Sequence, residues 1–143
     1  MPAGAAMALP IGLGLAILVA AFARMVGLDR DRAFYATVLI VVGSYYVLFA
    51  TMAGDIAAVR MEILFFLVFA AAAVFGFRSS MWVVAAGLAA HGVFDFLRRG
   101  PLPASGAPEW WPGFCGGFDI AAALAIGVLL VVDNRNGIRP HMQ

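Results

Sequence analysis

The sequence predicts an all-α, polytopic membrane bundle of about five transmembrane helices, and three observations carry that prediction. Of 143 residues, 64% are hydrophobic and only 12% charged, whereas a soluble domain runs near ~45–50% apolar and ~25% charged. The apolar residues come in long unbroken blocks. Charged side chains punctuate those blocks at intervals close to the ~20 residues that a helix needs to cross a ~30 Å hydrocarbon core.

Read in order, residues 2–23 carry no charge, which predicts a first helix near 6–25. Ala21, Phe22 and Ala23 imitate a signal-peptidase site, but no basic stretch precedes the apolar run, so the segment is expected to be a retained helix. Residues 33–54 are again uncharged and predict a second helix near 33–53. The third, near 56–77, contains Arg60 and Glu62; the fourth, near 79–97, contains His91 and Asp95; the fifth, near 113–132, contains Asp119. Between the last two, Pro101, Pro103, Pro108 and Pro112 with Gly100 and Gly106 exclude a continuous helix and predict the one long loop. Trp110 and Trp111 close that loop as interfacial anchors, with a wall that stacks on a substrate as the alternative. One domain over 1–143 is expected.

Composition also excludes functions. Nine arginines and eight acids leave a net charge of +1, which supplies no basic surface for nucleic acid. Cys115 is the single cysteine, so an internal disulfide is excluded. His91 and His141 are the two histidines, and His141 lies in the polar tail, so paired histidines cannot hold a haem inside the bilayer. No nucleotide cofactor is expected either. Arg24, Arg30, Arg32, Arg78, Arg135 and Arg139 fall on one side of the expected topology, and Arg98 and Arg99, with Arg60 as an ambiguous third, on the other. The positive-inside rule then places the N-terminus outside and the C-terminus in the cytoplasm, in a bacterial inner membrane.

Small residues recur every fourth position in two helices: Ala8, Gly12, Ala16 and Ala20, then Gly113, Gly117, Ala121 and Ala125. Such stripes let backbones approach closely. They read as internal seams of the bundle, with a homo-oligomer face or a docking face for a membrane-complex partner as the alternative.

The informative residues are the polar ones inside apolar spans, because an acid at a helix centre costs ~2.5–3.5 kcal/mol to insert. Glu62, His91 and Asp119 each lie about 9 Å from the expected outer end of their helix, at 1.5 Å per residue. Asp95 stacks on His91 and Asp119 on Cys115, each four residues apart on a shared helix face. Glu62, His91, Asp95 and Asp119 are therefore the candidate metal ligands, in a pocket expected to open to the outer face beneath the Pro-rich loop. Three carboxylates and an imidazole suit a divalent ion such as Zn, Mn or Fe(II), and a thiolate from Cys115 would admit copper. Each residue also has a structural reading: Asp95 pairing with Arg99, His91 as a core histidine, Glu62 reaching the headgroups, Asp119 bracing a helix start, and Cys115 as a packing residue. Tyr45 and Tyr46 read as packing aromatics, either of which could donate to a carboxylate.

The pattern Glu62, His91-Gly-Val-Phe-Asp95, Trp110-Trp111-Pro112, Phe114-Cys115 and Phe118-Asp119 resembles a group of small uncharacterised bacterial integral membrane proteins, over roughly residues 55–125. The group shares a mid-chain acid, an H-x-x-x-D helix end, a Pro-rich loop and a C-x-x-x-D start to the last helix. The resemblance implies a site without implying a reaction. Three functions stay open on the sequence: a metal-dependent enzyme or metal-binding protein, a proton- or ion-coupled transporter, and a structural or assembly subunit of a membrane complex.

Overall fold

The computed structural model describes residues 3–102, 104 and 106–137, and the side chains from residue 6 onward; Pro103, Arg139 and His141 lie outside the described residues. Five α-helices account for the fold: α1 (Ala3–Val26), α2 (Arg32–Met52), α3 (Ile56–Arg78), α4 (Met81–Leu97) and α5 (Trp111–Arg135). No strand occurs among the described residues. Four of the helices, α1, α2, α3 and α5, are long and apolar enough to cross a membrane. With 17 residues, α4 is about 25 Å long at 1.5 Å per residue, the short end of a spanning helix.

The helix ends follow local chemistry. The Asp31 carboxylate accepts from Ala33 N at 2.8 Å and starts α2; that of Asp55 accepts from Ala58 N at 2.9 Å and starts α3. Ser80 Oγ accepts from Trp82 N at 3.3 Å at the head of α4. Each satisfies one of the amide donors that a first helical turn leaves unpaired. Asp55 is therefore the N-cap of α3. Helix α5 begins two residues before the expected Gly113 because Pro112 in a first turn loses no internal hydrogen bond.

Burial separates the helices by role. Eight of the 17 residues of α4 are buried, and only Glu62, Ala73 and Gly76 of the 23 in α3, so α4 runs through the centre and α3 faces lipid. Helix α5 packs between α1 and α4, whereas α2 packs on α3 and touches α4. The two small-residue stripes meet each other: a Cβ on Gly12 would stand 2.0 Å from the Phe114 carbonyl oxygen, and one on Gly117 would stand 2.7 Å from that of Leu9. They are an internal seam, used by α1 and α5 to bring their backbones together. A second close approach joins α4 to α5, where a Cβ on Gly92 would lie 3.1 Å from the Gly116 oxygen and one on Gly116 3.2 Å from Asp95 Cβ.

At the end where α1 meets its short 3-10 connection, Arg24 bridges two buried acids, donating to Asp29 at 3.1 Å and Asp133 at 3.0 Å. One guanidinium thus ties α1, the Leu28–Arg30 turn and the end of α5. Consecutive helices α1 and α2 nevertheless splay apart beyond that turn, because α1 leans on α5 and α2 on α3.

Candidate metal centre

The α4–α5 approach positions the site. With no side chain at Gly92 or Gly116, the two helices come close enough for His91 and Asp95 on one to meet Cys115 and Asp119 on the other. All four side chains are buried, none more than 2% exposed. Their nearest donor atoms lie within 4.8 Å of one another.

His91 is the hub. Its Nδ1 stands 2.6 Å from Asp119 Oδ2 and 3.4 Å from Asp95 Oδ2. One ring N–H can serve one of these carboxylates; the short contact takes it, and Asp95 Oδ2 is left without a hydrogen bond. Asp119 Oδ1 is likewise buried and unpartnered. Cys115 Sγ lies 3.9 Å from Asp119 Oδ2. Tyr46 of α2 donates its hydroxyl to Asp95 Oδ1 at 2.6 Å, which fixes that carboxylate with its other oxygen toward the imidazole. The imidazole plane is set by Phe69, edge-on at 4.6 Å between ring centroids, with Phe94 at 5.8 Å.

Glu62 is placed differently from the other three expected ligands. Its carboxylate, 3% exposed, pairs with the buried guanidinium of Arg98, the residue that caps the end of α4. Arg98 is enclosed by rings, its Cζ 4.5 Å from the Phe94 centroid, 4.8 Å from Tyr46 and 5.1 Å from Phe65. Guanidinium faces pack well on aromatic faces, so the arginine that caps α4 folds back over the bundle. Glu62 therefore reaches the cluster only indirectly, through Arg98 and Tyr46. Asp95 takes its hydrogen bond from Tyr46 rather than from Arg99, whose guanidinium lies by Gly113.

Two further features concern the surroundings. Trp111 is packed on Tyr45 and Phe49 at 4.9 and 5.0 Å, while Trp110 stays exposed. Gly106 of the Pro-rich loop packs onto the end of α2, where a Cβ would meet the Phe49 oxygen at 2.5 Å. A cleft of about 620 Å³ opens sideways, between α1, α2 and α5, with Cys115 in its lining.

Chemically, the four residues offer an imidazole nitrogen, two carboxylates and a thiol in a space closed to water. Two acids facing one imidazole repel each other strongly where the dielectric is low. A cation would relieve the repulsion and give Asp95 Oδ2 a partner. No protein-family model, no curated protein and no solved structure matches this chain.

Proposed function

We propose that the chain is an integral membrane protein that binds one divalent metal ion through His91, Asp95, Cys115 and Asp119. The observation that supports this most is the fully buried group itself: one donor atom from each of the four residues lies within 4.8 Å of the others, and Asp95 Oδ2, with no hydrogen bond of its own, stands 3.4 Å from His91 Nδ1. Burying carboxylate oxygens without partners costs several kcal/mol, and a bound cation turns that cost into ligation. The mixed N, O and S donors favour Zn, Fe(II) or copper over Mg or Ca, which prefer all-oxygen sites. Uptake replaces the proton that His91 Nδ1 shares with Asp119, since only the deprotonated nitrogen binds metal. With the N-terminus outside, the site lies in the outer leaflet of a bacterial inner membrane. Tyr46 orients Asp95 in this reading, and the Glu62–Arg98 pair holds α3 to the end of α4.

Elemental analysis of detergent-purified protein tests the proposal. Wild type is expected to carry on the order of one ion per chain, and His91→Ala and Asp119→Asn to fall to background, because a lost ligand removes much of the binding free energy. Uptake should release protons into weakly buffered solution. Wild type without stoichiometric metal, or His91→Ala with an undiminished content, would overturn it.

A further inference from the structure

We infer that a cavity between the start of α4 and the end of α5 seats the headgroup of one anionic phospholipid, held by its phosphate. The charge of this end of the bundle is the first reason. Arg24, Arg30, Arg32, Arg78 and Arg135 gather here, against three acids among the described residues. Those acids are already engaged: Asp29 and Asp133 are buried against Arg24, and Asp31 caps α2. Arg32 donates to the Gly76 carbonyl, tying α2 to the end of α3. Arg30, Arg78 and Arg135 are exposed and in no ion pair among the described residues. What this end presents to the headgroup layer is therefore cationic, and basic pockets between membrane helices are where anionic headgroups bind. The metal centre lies elsewhere, since Asp119 precedes Asn134 on α5 by about 22 Å at 1.5 Å per residue.

The lining of the cavity is the second reason. Its volume of about 390 Å³ falls in the ~300–1,000 Å³ range of small-molecule sites. From α5 come the guanidinium of Arg135 and the amide of Asn134, and from the α3–α4 junction the hydroxyls of Ser79 and Ser80. Ser80 Oγ accepts from Trp82 N, which leaves its hydroxyl hydrogen for an incoming oxygen. Guanidinium, amide and hydroxyl are all donors to a phosphate, the first of them charge-assisted. No acid is among the described lining residues. Depth is the third reason. Trp82, the second residue of α4, is 53% exposed at the cavity wall, at the level where indoles mark the edge of the hydrocarbon. Leu130 and Val131 line the cavity one helical turn deeper than Asn134 and Arg135, and Val131 is 42% exposed to the lipid side. Polar mouth and apolar wall thus follow each other in the order of a phosphate and the first acyl carbons of a bilayer lipid.

Native mass spectrometry tests the seat, on protein released from micelles that hold equal amounts of phosphatidylglycerol and phosphatidylcholine with the same acyl chains. One phosphatidylglycerol per chain is expected to stay bound, preferred over phosphatidylcholine by about 10-fold or more. Arg135→Gln should lower its retention about 5-fold, the worth of one arginine at a charged membrane surface. Ser79→Trp, which fills the cavity, should abolish it. Arg30→Gln, at the same end but outside the cavity, should change it less than about 2-fold, because exposed charges at a distance are screened. Helical content and elution volume report that each variant is folded. Inorganic phosphate should displace the lipid no better than chloride at equal ionic strength; selective displacement would give the cavity to a free anion and overturn the lipid seat. It is also overturned by equal retention of the two lipids, by retention that survives both Arg135→Gln and Ser79→Trp, or by an equal loss in Arg30→Gln, which would mean diffuse attraction to a charged surface.

Discussion

Arg98→Met is expected to destabilise the bundle by about 3–5 kcal/mol, the cost of removing one partner from a buried ion pair. Glu62 would be left with its carboxylate 3% exposed and unpaired, at a depth where water does not reach. The rings of Tyr46, Phe65 and Phe94 that flank the guanidinium would accept a methionine, so packing is largely kept and the loss is electrostatic. The double variant Arg98→Met with Glu62→Gln should therefore recover most of the loss, since the uncompensated charge is gone. Unfolding in mixed detergent micelles, run as a double-mutant cycle, measures both. A single variant within about 1 kcal/mol of wild type, as for an exposed pair, would contradict the buried staple. Metal content adds a second reading: Glu62→Gln should keep its ion, and a variant that lost it would return Glu62 to the ligand set.

Gly12→Ala is expected to cost about 1–3 kcal/mol or more by overpacking, and Gly14→Ala nothing by that route. The two glycines are two residues apart on α1 and differ only in what they face. A Cβ at Gly12 would stand 2.0 Å from the Phe114 carbonyl oxygen, a backbone atom that cannot rotate away, while one at Gly14 meets nothing within 4 Å. The extra methyl must push α1 off α5 along the seam. Denaturation midpoints of the two variants, compared under identical micelle conditions, check it; equal midpoints would show that the seam is slack.

Much of the fold was legible because membrane helices announce themselves by apolar length, and Asp31, Asp55, Arg78 and Arg98 stand close to where those lengths end. The limits moved by a few residues where capping or Pro112 decided the first turn. Helix neighbours were less legible. The paired stripes containing Gly12 and Gly117 implied close approach, yet only the structure shows them facing each other. The functional approach, at Gly92 and Gly116, lay in neither stripe.

Depth arithmetic selected His91, Asp95 and Asp119, which the structure brings together, because residues at one level on adjacent helices tend to meet. The same arithmetic selected Glu62 and had no means of foreseeing that Arg98, at a helix end, would turn inward beneath three rings. The available signal was the four-residue spacing of Phe94 and Arg98, which puts a ring and a guanidinium on one face at the end of α4. Cys115 carried a usable signal, the four-residue spacing to Asp119, but a lone cysteine on an apolar helix usually packs. The sideways cleft had no sequence signal at all, since it comes from α1 choosing α5 over its own neighbour α2.

X-ray absorption at the edge of the bound metal tests the central claim most directly, because it reads donor atoms rather than stability. The four-residue centre predicts one sulfur scatterer at about 2.3 Å with nitrogen and oxygen at about 2.0–2.2 Å if the ion is zinc. The wild-type spectrum should carry the outer-shell scattering of one imidazole, and the sulfur contribution should vanish in Cys115→Ser. An all-oxygen shell, or a spectrum unchanged in Cys115→Ser, would contradict the assignment of His91, Asp95, Cys115 and Asp119 as a metal centre.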